Sequence, residues 1–154
     1  MKKPWILMGT VLIALVGFGM SLAASSAAAE KKPFGGDTCN ALTAEDFAKW
    51  RGGCTIVSTL KPMPSECLYQ LSGHSAGPVG VFLDDAKVFD INRGIYAPVT
   101  AVPGLGDEAY TGKAGSSHAL AVKAKGIYFR IDVETSRYTL DELKQLAQDI
   151  IDKL

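Results

Sequence analysis

The chain has 154 residues, of which 47% are hydrophobic and 21% charged, and its 16 basic and 16 acidic side chains cancel. This balance excludes a collagen repeat, a coiled coil and a disordered tail. No basic stripe is present, which argues against nucleic acid as a partner.

Met1-Lys2-Lys3, the apolar run from Trp5 to Ala24 and the small residues Ser25 to Ala29 have the form of an export signal. Ala27-Ala28-Ala29 fits a cleavage site before Glu30. The alternative is an uncleaved anchor, since a run of this length can span a bilayer, but Gly9, Gly17, Gly19 and the alanine tail suit a peptidase better than a packed helix. No cysteine adjoins the segment, so it offers no lipid-attachment site. Cleavage removes Lys2 and Lys3 and leaves 14 basic against 16 acidic residues. The expected organisation is a signal over residues 1–29, a flexible leader over 30–38 containing Pro33 and Gly35-Gly36, and one domain over 39–154. Such a domain buries roughly two thirds of its unfolded surface. The expected location is the periplasm or the exterior.

Cys39, Cys54 and Cys67 are the three cysteines. An oxidising compartment pairs two of them and leaves one over. Cys39 with Cys67 is preferred, because it ties the segment before the first helix to a central strand; Cys54 with Cys67 is the rival. Cys54 is then the spare thiol, with burial as its ordinary fate.

Thr43 caps a short helix through Phe47 and Trp50, ended by Gly52-Gly53. Cys54 to Leu60, Glu66 to Ser72 and Val79 to Leu83 read as strands, with Cys67, Tyr69 and Leu71 on one face. Asp84-Asp85 offers a cap to a second helix through Val88 and Ile91, closed by Gly94. Ile95 to Val102 contains Pro98 and is at best an edge strand. Glu108 to Thr111 follows a glycine turn. Then His118 to Val122 and Ile127 to Val133 alternate around Lys125-Gly126 as a hairpin, greasy on one face and wet on the other. Thr139 and Glu142 form a capping box for a last helix with Leu140, Leu143, Leu146, Ala147, Ile150 and Ile151 at helical spacing. The expectation is an α+β fold, an antiparallel sheet with its helices packed on one face, in the order helix-βββ-helix-βββ-helix.

Gly73-His74-Ser75-Ala76-Gly77 matches a nucleophile elbow, with Asp90 and His118 following in hydrolase order. An elbow needs a helix directly after the serine, whereas Pro78-Val79-Gly80-Val81 reads as a strand, so the segment is first of all a hairpin loop. Gly104-Leu105-Gly106-Asp107-Glu108-Ala109 imitates a dinucleotide fingerprint but is followed by Tyr110-Thr111-Gly112 rather than a helix. His74 and His118 have no metal-ligand spacing, and the sequence calls for no metal or cofactor. Tyr110, Tyr128, Arg130 and His74 are the candidate recognition surface.

Cys39-x-x-Leu42-Thr43, Cys67-x-Tyr69 and the Gly104-to-Tyr110 stretch, followed by a strand pair and a Leu-rich helix, resemble a group of small bacterial envelope domains of unknown function. Many of those are lipoproteins, and they are similar to the extracellular sensor domains of bacterial Ser/Thr kinases. The resemblance spans Cys39 to Leu154, implies an α+β envelope module and supports Cys39 with Cys67 as the pair. It assigns no catalytic residue. The expected function is an exported, non-enzymatic binding or sensor-like module for a protein, glycan or small ligand, with a membrane as partner only if the signal stays uncleaved. The alternatives are a small serine hydrolase using Ser75 and a thiol redox protein using Cys54.

Overall fold

The computed structural model describes residues 32–50, 52–73, 77–134 and 136–154, so the signal segment lies outside the described residues. In chain order the elements are a 3₁₀ turn (Thr38–Asn40), α1 (Ala44–Trp50), β1 (Thr55–Leu60), β2 (Glu66–Ser72), β3 (Val79–Asp85), α2 (Val88–Arg93), β4 (Thr100–Ala101), β5 (Glu108–Ala114), β6 (Ser117–Ala124), β7 (Ile127–Glu134) and α3 (Leu140–Lys153). The strands form one sheet in the order β1-β2-β3-β7-β6-β5-β4, every neighbouring pair antiparallel. The fold is therefore α+β. The second run holds four strands rather than three, because the two residues after Val99 pair with Thr111 and Tyr110 as a short edge strand.

Side chains alternate across a strand, so the register assigns each residue to a face. One face presents Tyr69, Val81, Phe129, Ile131, Leu120 and Val122. Phe47 of α1 and Leu143, Leu146 and Ile150 of α3 cover it and complete the main core. The start of α3 is fixed by Thr139 and Glu142, each side chain bonded to the other's main chain. At α1 the same device uses an aspartate: the Asp46 carboxylate accepts from Thr43 N and Oγ1 at 2.6 and 2.8 Å.

The two helices are clasped together, as Lys153 of α3 donates to the Asp46 carboxylate and to Ala41 O. Burial pushes the Asp46 carboxyl up, but the bonds from Lys153 and Thr43 outweigh it and leave the group below the ordinary aspartate range. A depressed folded-state value means stabilisation that is present above the unfolded aspartate value and lost as pH falls through the folded one. Asp46→Asn is thus expected to lower the urea midpoint at pH 7, and the gap to the parent protein should narrow by pH 3. A gap independent of pH would show that the clasp contributes nothing through its charge.

Cys39 and Cys67, separated by 28 positions in sequence, form the disulfide, with Cα atoms 5.1 Å apart. The rival pairing fails on register. Thr55 faces Ser72 and Leu60 faces Leu68, so Cys54 and Cys67 sit at opposite ends of the β1–β2 pair. That separation is on the order of 20 Å along the strand, far beyond disulfide reach. Cys54 is buried. Beside the disulfide, Tyr69 Oη accepts from Leu42 N and donates to Thr38 O, both at 3.2 Å, and burial pushes its phenol up to about 12. Asp37 pairs with Lys61 at 2.9 Å and Thr38 is buried, so the chain is tied down before the end of the leader expected from sequence.

The helices do not share one face. α2 lies on the side of the sheet opposite α1 and α3, where Phe89 packs with Tyr96, Tyr110, Ala119, Ala121 and Tyr128 in a second buried cluster. The alternation that reads as a wet face hides this, because Ala119, Ala121 and Gly112 are small enough to admit large rings above them. A Cβ on Gly112 would stand 2.6 Å from Tyr96 Cβ, so the Tyr96 side chain occupies the space this glycine leaves. Asp84-Asp85 does not cap α2 as expected. Strand β3 runs through Asp85, whose carboxylate instead accepts from Lys87 N at 2.9 Å, and Lys87 is the N-cap.

Candidate functional site

The face that carries α2 divides into two halves. Over β5, β6 and the start of β7 the Phe89 ring lies 5.0 Å from Tyr110 and 5.9 Å from Tyr128, centroid to centroid. Arg93 of α2 sits 5.2 Å over the Tyr110 ring and pairs with Glu108 at 3.0 Å, holding the helix to β5. Tyr110 and Tyr128 are consequently buried, at 0% and 2% exposure, and burial raises both phenols. They are core residues of the second layer rather than parts of an outward recognition surface.

Arg130, the third member of that expected surface, stands at the edge of the covered half. Its guanidinium lies 4.1 Å over the Phe82 ring and 5.9 Å from that of Tyr96. It donates from Nε and Nη2 to the same Asp132 oxygen, at 2.9 and 2.7 Å. Both side chains are mostly buried, so the pair is desolvated. Burial pushes the Asp132 carboxyl up despite Arg130. Burial acts on Arg130 in the opposite sense, but the Asp132 charge beside it leaves its guanidinium more basic than usual. Burial, reinforced by the Asp132 charge, pushes the Tyr96 phenol up to about 12.

Beyond this pair the sheet carries a hollow of about 350 Å³, lined among others by Leu68, Gln70, Gly80, Phe82, Ser117 and Asp132. It exists because the register sets Gly80 and Ala119 directly beside Asp132 on the two flanking strands. Neither has a side chain that reaches over the carboxylate. Sequence reasoning reached Arg130 but missed Asp132, Phe82 and Leu68. The signal that finds them is a row of small residues across adjacent strands, and it is visible only once the strands are in register.

The hydrolase constellation is not brought together among the described residues. Ser75 and His74 lie outside them, and the segment that an elbow would make a helix is strand β3, beginning at Val79. His118 is on the face covered by α1 and α3, where its Nε2 lies 2.5 Å from Thr111 Oγ1, and burial pushes its imidazole down. Asp90 is exposed on α2, on the other side of the sheet. The Gly104–Gly106 turn is likewise accounted for by packing. Asp107 N donates to Lys123 O, the Asp107 carboxylate accepts from Lys125 N, and a Cβ on Gly106 would stand 2.6 Å from Lys123 O at a φ of +60°. This glycine is required for the turn to seat against the end of β6.

Among the described residues no three His, Cys, Asp or Glu side chains gather as metal ligands, and no helix is long and apolar enough to cross a membrane. What the site offers chemically is a desolvated ion pair beside a partly apolar hollow. No family model, curated protein or solved structure matches the chain.

Proposed function

We propose that this protein is an exported binding or sensor-like module of the bacterial envelope that holds its ligand on the uncovered half of the α2 face. One observation carries the reading: α2 roofs the sheet as far as Arg130 and leaves a hollow beside it, with the Arg130–Asp132 pair at its wall. A concave, partly apolar surface with a few fixed polar groups is how small-ligand sites are generally made. Export is supported by the signal-like composition of residues 1–29 and by the Cys39–Cys67 disulfide, a bond that persists in oxidising compartments. The resemblance to kinase sensor domains points the same way.

Expression of the full chain in an exporting bacterial host tests both halves of the proposal. Material recovered outside the cytoplasm should begin at Glu30 by intact mass, carry the Cys39–Cys67 bond and keep Cys54 unreactive to alkylation until unfolded. It should remain unlabelled by a serine-reactive fluorophosphonate. Amides around Gln70, Phe82 and Asp132 should shift with at least one member of a panel of sugars, amines and short peptides. Labelling at Ser75 with no ligand-induced shift anywhere would replace the binding reading with the hydrolase one.

A further inference from the structure

The chemistry of the hollow narrows the ligand, and this step rests on the binding reading above. Asp132 sits in a cross-strand row that runs Leu68, Gly80, Asp132, Ala119, Gly112. Both donors of Arg130 go to the same carboxylate oxygen, Oδ2. The other oxygen, Oδ1, is buried and has no hydrogen-bond partner among the described residues. A buried acceptor left in this state is costly, and a donor brought by a ligand removes the cost. Asp132 lines the hollow, and Oδ1 comes within reach of a ligand's donor when the Arg130–Asp132 pair shifts together as the ligand enters.

The surrounding charge says which kind of donor fits. Asp132 is matched by Arg130 and Glu134 is bonded by Arg137 at 2.5 Å, so the acids at the wall are already compensated. An ammonium group would lose its hydration and find no net negative charge to replace it. A neutral hydroxyl loses less and supplies the proton that Oδ1 lacks. Main-chain recognition of a peptide is disfavoured on a separate ground. The hollow lies over β2, β3 and β7, all interior strands whose main-chain groups are committed to their neighbours. Recognition is left to side chains: the carboxylate of Asp132, the amide of Gln70 and the hydroxyl of Ser117, with Leu68 and Phe82 as apolar contacts. Polar side chains around an apolar patch suit a molecule with hydroxyls at its rim and C–H groups on its faces. The volume is at the small end for ligand sites.

We infer that the hollow beside Asp132 binds a neutral saccharide, with one hydroxyl donating to Asp132 Oδ1 and a C–H face of the sugar resting on Leu68 and Phe82.

The test is an amide chemical-shift titration of the full chain, disulfide intact, with glucose, N-acetylglucosamine, maltose and cellobiose, and in parallel with lysine amide and trialanine. At least one sugar should give saturable shifts at Gln70, Gly80, Phe82 and Asp132. Asp132→Asn should weaken that sugar about tenfold, the size of a lost charge-assisted hydrogen bond. Gly80→Ala should weaken it comparably while leaving the Arg130–Asp132 pair in place, since its Cβ would enter the floor of the hollow 3.2 Å from Leu68 Cδ2. If Asp132→Asn does not fold, Gly80→Ala decides alone. Shifts at these amides with lysine amide or trialanine but with no sugar would overturn the saccharide assignment and leave the binding module standing. Sugar binding that both variants retain at full strength would place the site elsewhere. Silence from every probe would remove this inference and the binding reading together.

Discussion

Phe89→Ala is expected to destabilise the domain by about 3–5 kcal/mol, the range for emptying a fully buried phenylalanine site. Phe89 is 0% exposed and lies at the centre of the second cluster, against Tyr110 and Tyr128. Its main-chain carbonyl also accepts from Tyr110 Oη at 3.4 Å. Removing the ring takes away the roof over Ala119 and Ala121, whose methyl groups cannot fill the space. Ile91, two residues along the same helix and 69% exposed, is the control: Ile91→Ala should fall within about 0.5 kcal/mol of the parent. Urea unfolding followed by tyrosine fluorescence measures both. Equal, small effects at the two positions would mean that α2 is a surface ornament and that the sheet has one covered face.

The double variant Cys39→Ser/Cys67→Ser should lose about 3–4 kcal/mol, the chain-entropy value for a loop of this length. The loop closed by the bond spans a separation of 28 and contains the whole of α1 and β1. Opening it frees the unfolded chain and also releases the segment that Tyr69 pins through Leu42 and Thr38. The measurement is the guanidinium midpoint of the parent with and without reductant, set against that of the variant. A reductant that leaves the parent's midpoint in place would show that the unfolded state gains no freedom from the cut. Changing Cys54 alone should leave the reductant response intact, because that thiol is at the far end of the β1–β2 pair.

The readability of this fold followed the strength of local periodicity. The capping box and the leucine spacing of α3, and the two-residue turn between β6 and β7, are dictated within a few residues of one another, and they stand where the sequence places them. The second layer is different in kind. Ala119, Ala121 and Gly112 carry no hydrophobic signature of their own, and tyrosines at 110 and 128 fit an outward strand face as well as an inward one. Only the crossover from β3 to β4, which draws residues 86–99 across the sheet, makes small residues into a seat for Phe89 and Tyr96. The candidate site was legible in part for the same reason. Arg130 announces itself as a charged residue on an alternating strand, whereas Gly80 and Ala119 matter by what they lack, and they flank Asp132 only because distant strands meet there.

The clasp between α1 and α3 bears on when the molecule can finish folding. Asp46 and Lys153 are 107 positions apart in sequence. A polypeptide that emerges from the ribosome N-terminus first must make α3 before α1 can be locked to it. β3 must likewise wait for β7, which arrives more than forty positions later. The contacts that lock this domain are thus long-range ones, closed only once α3 and β7 have been made.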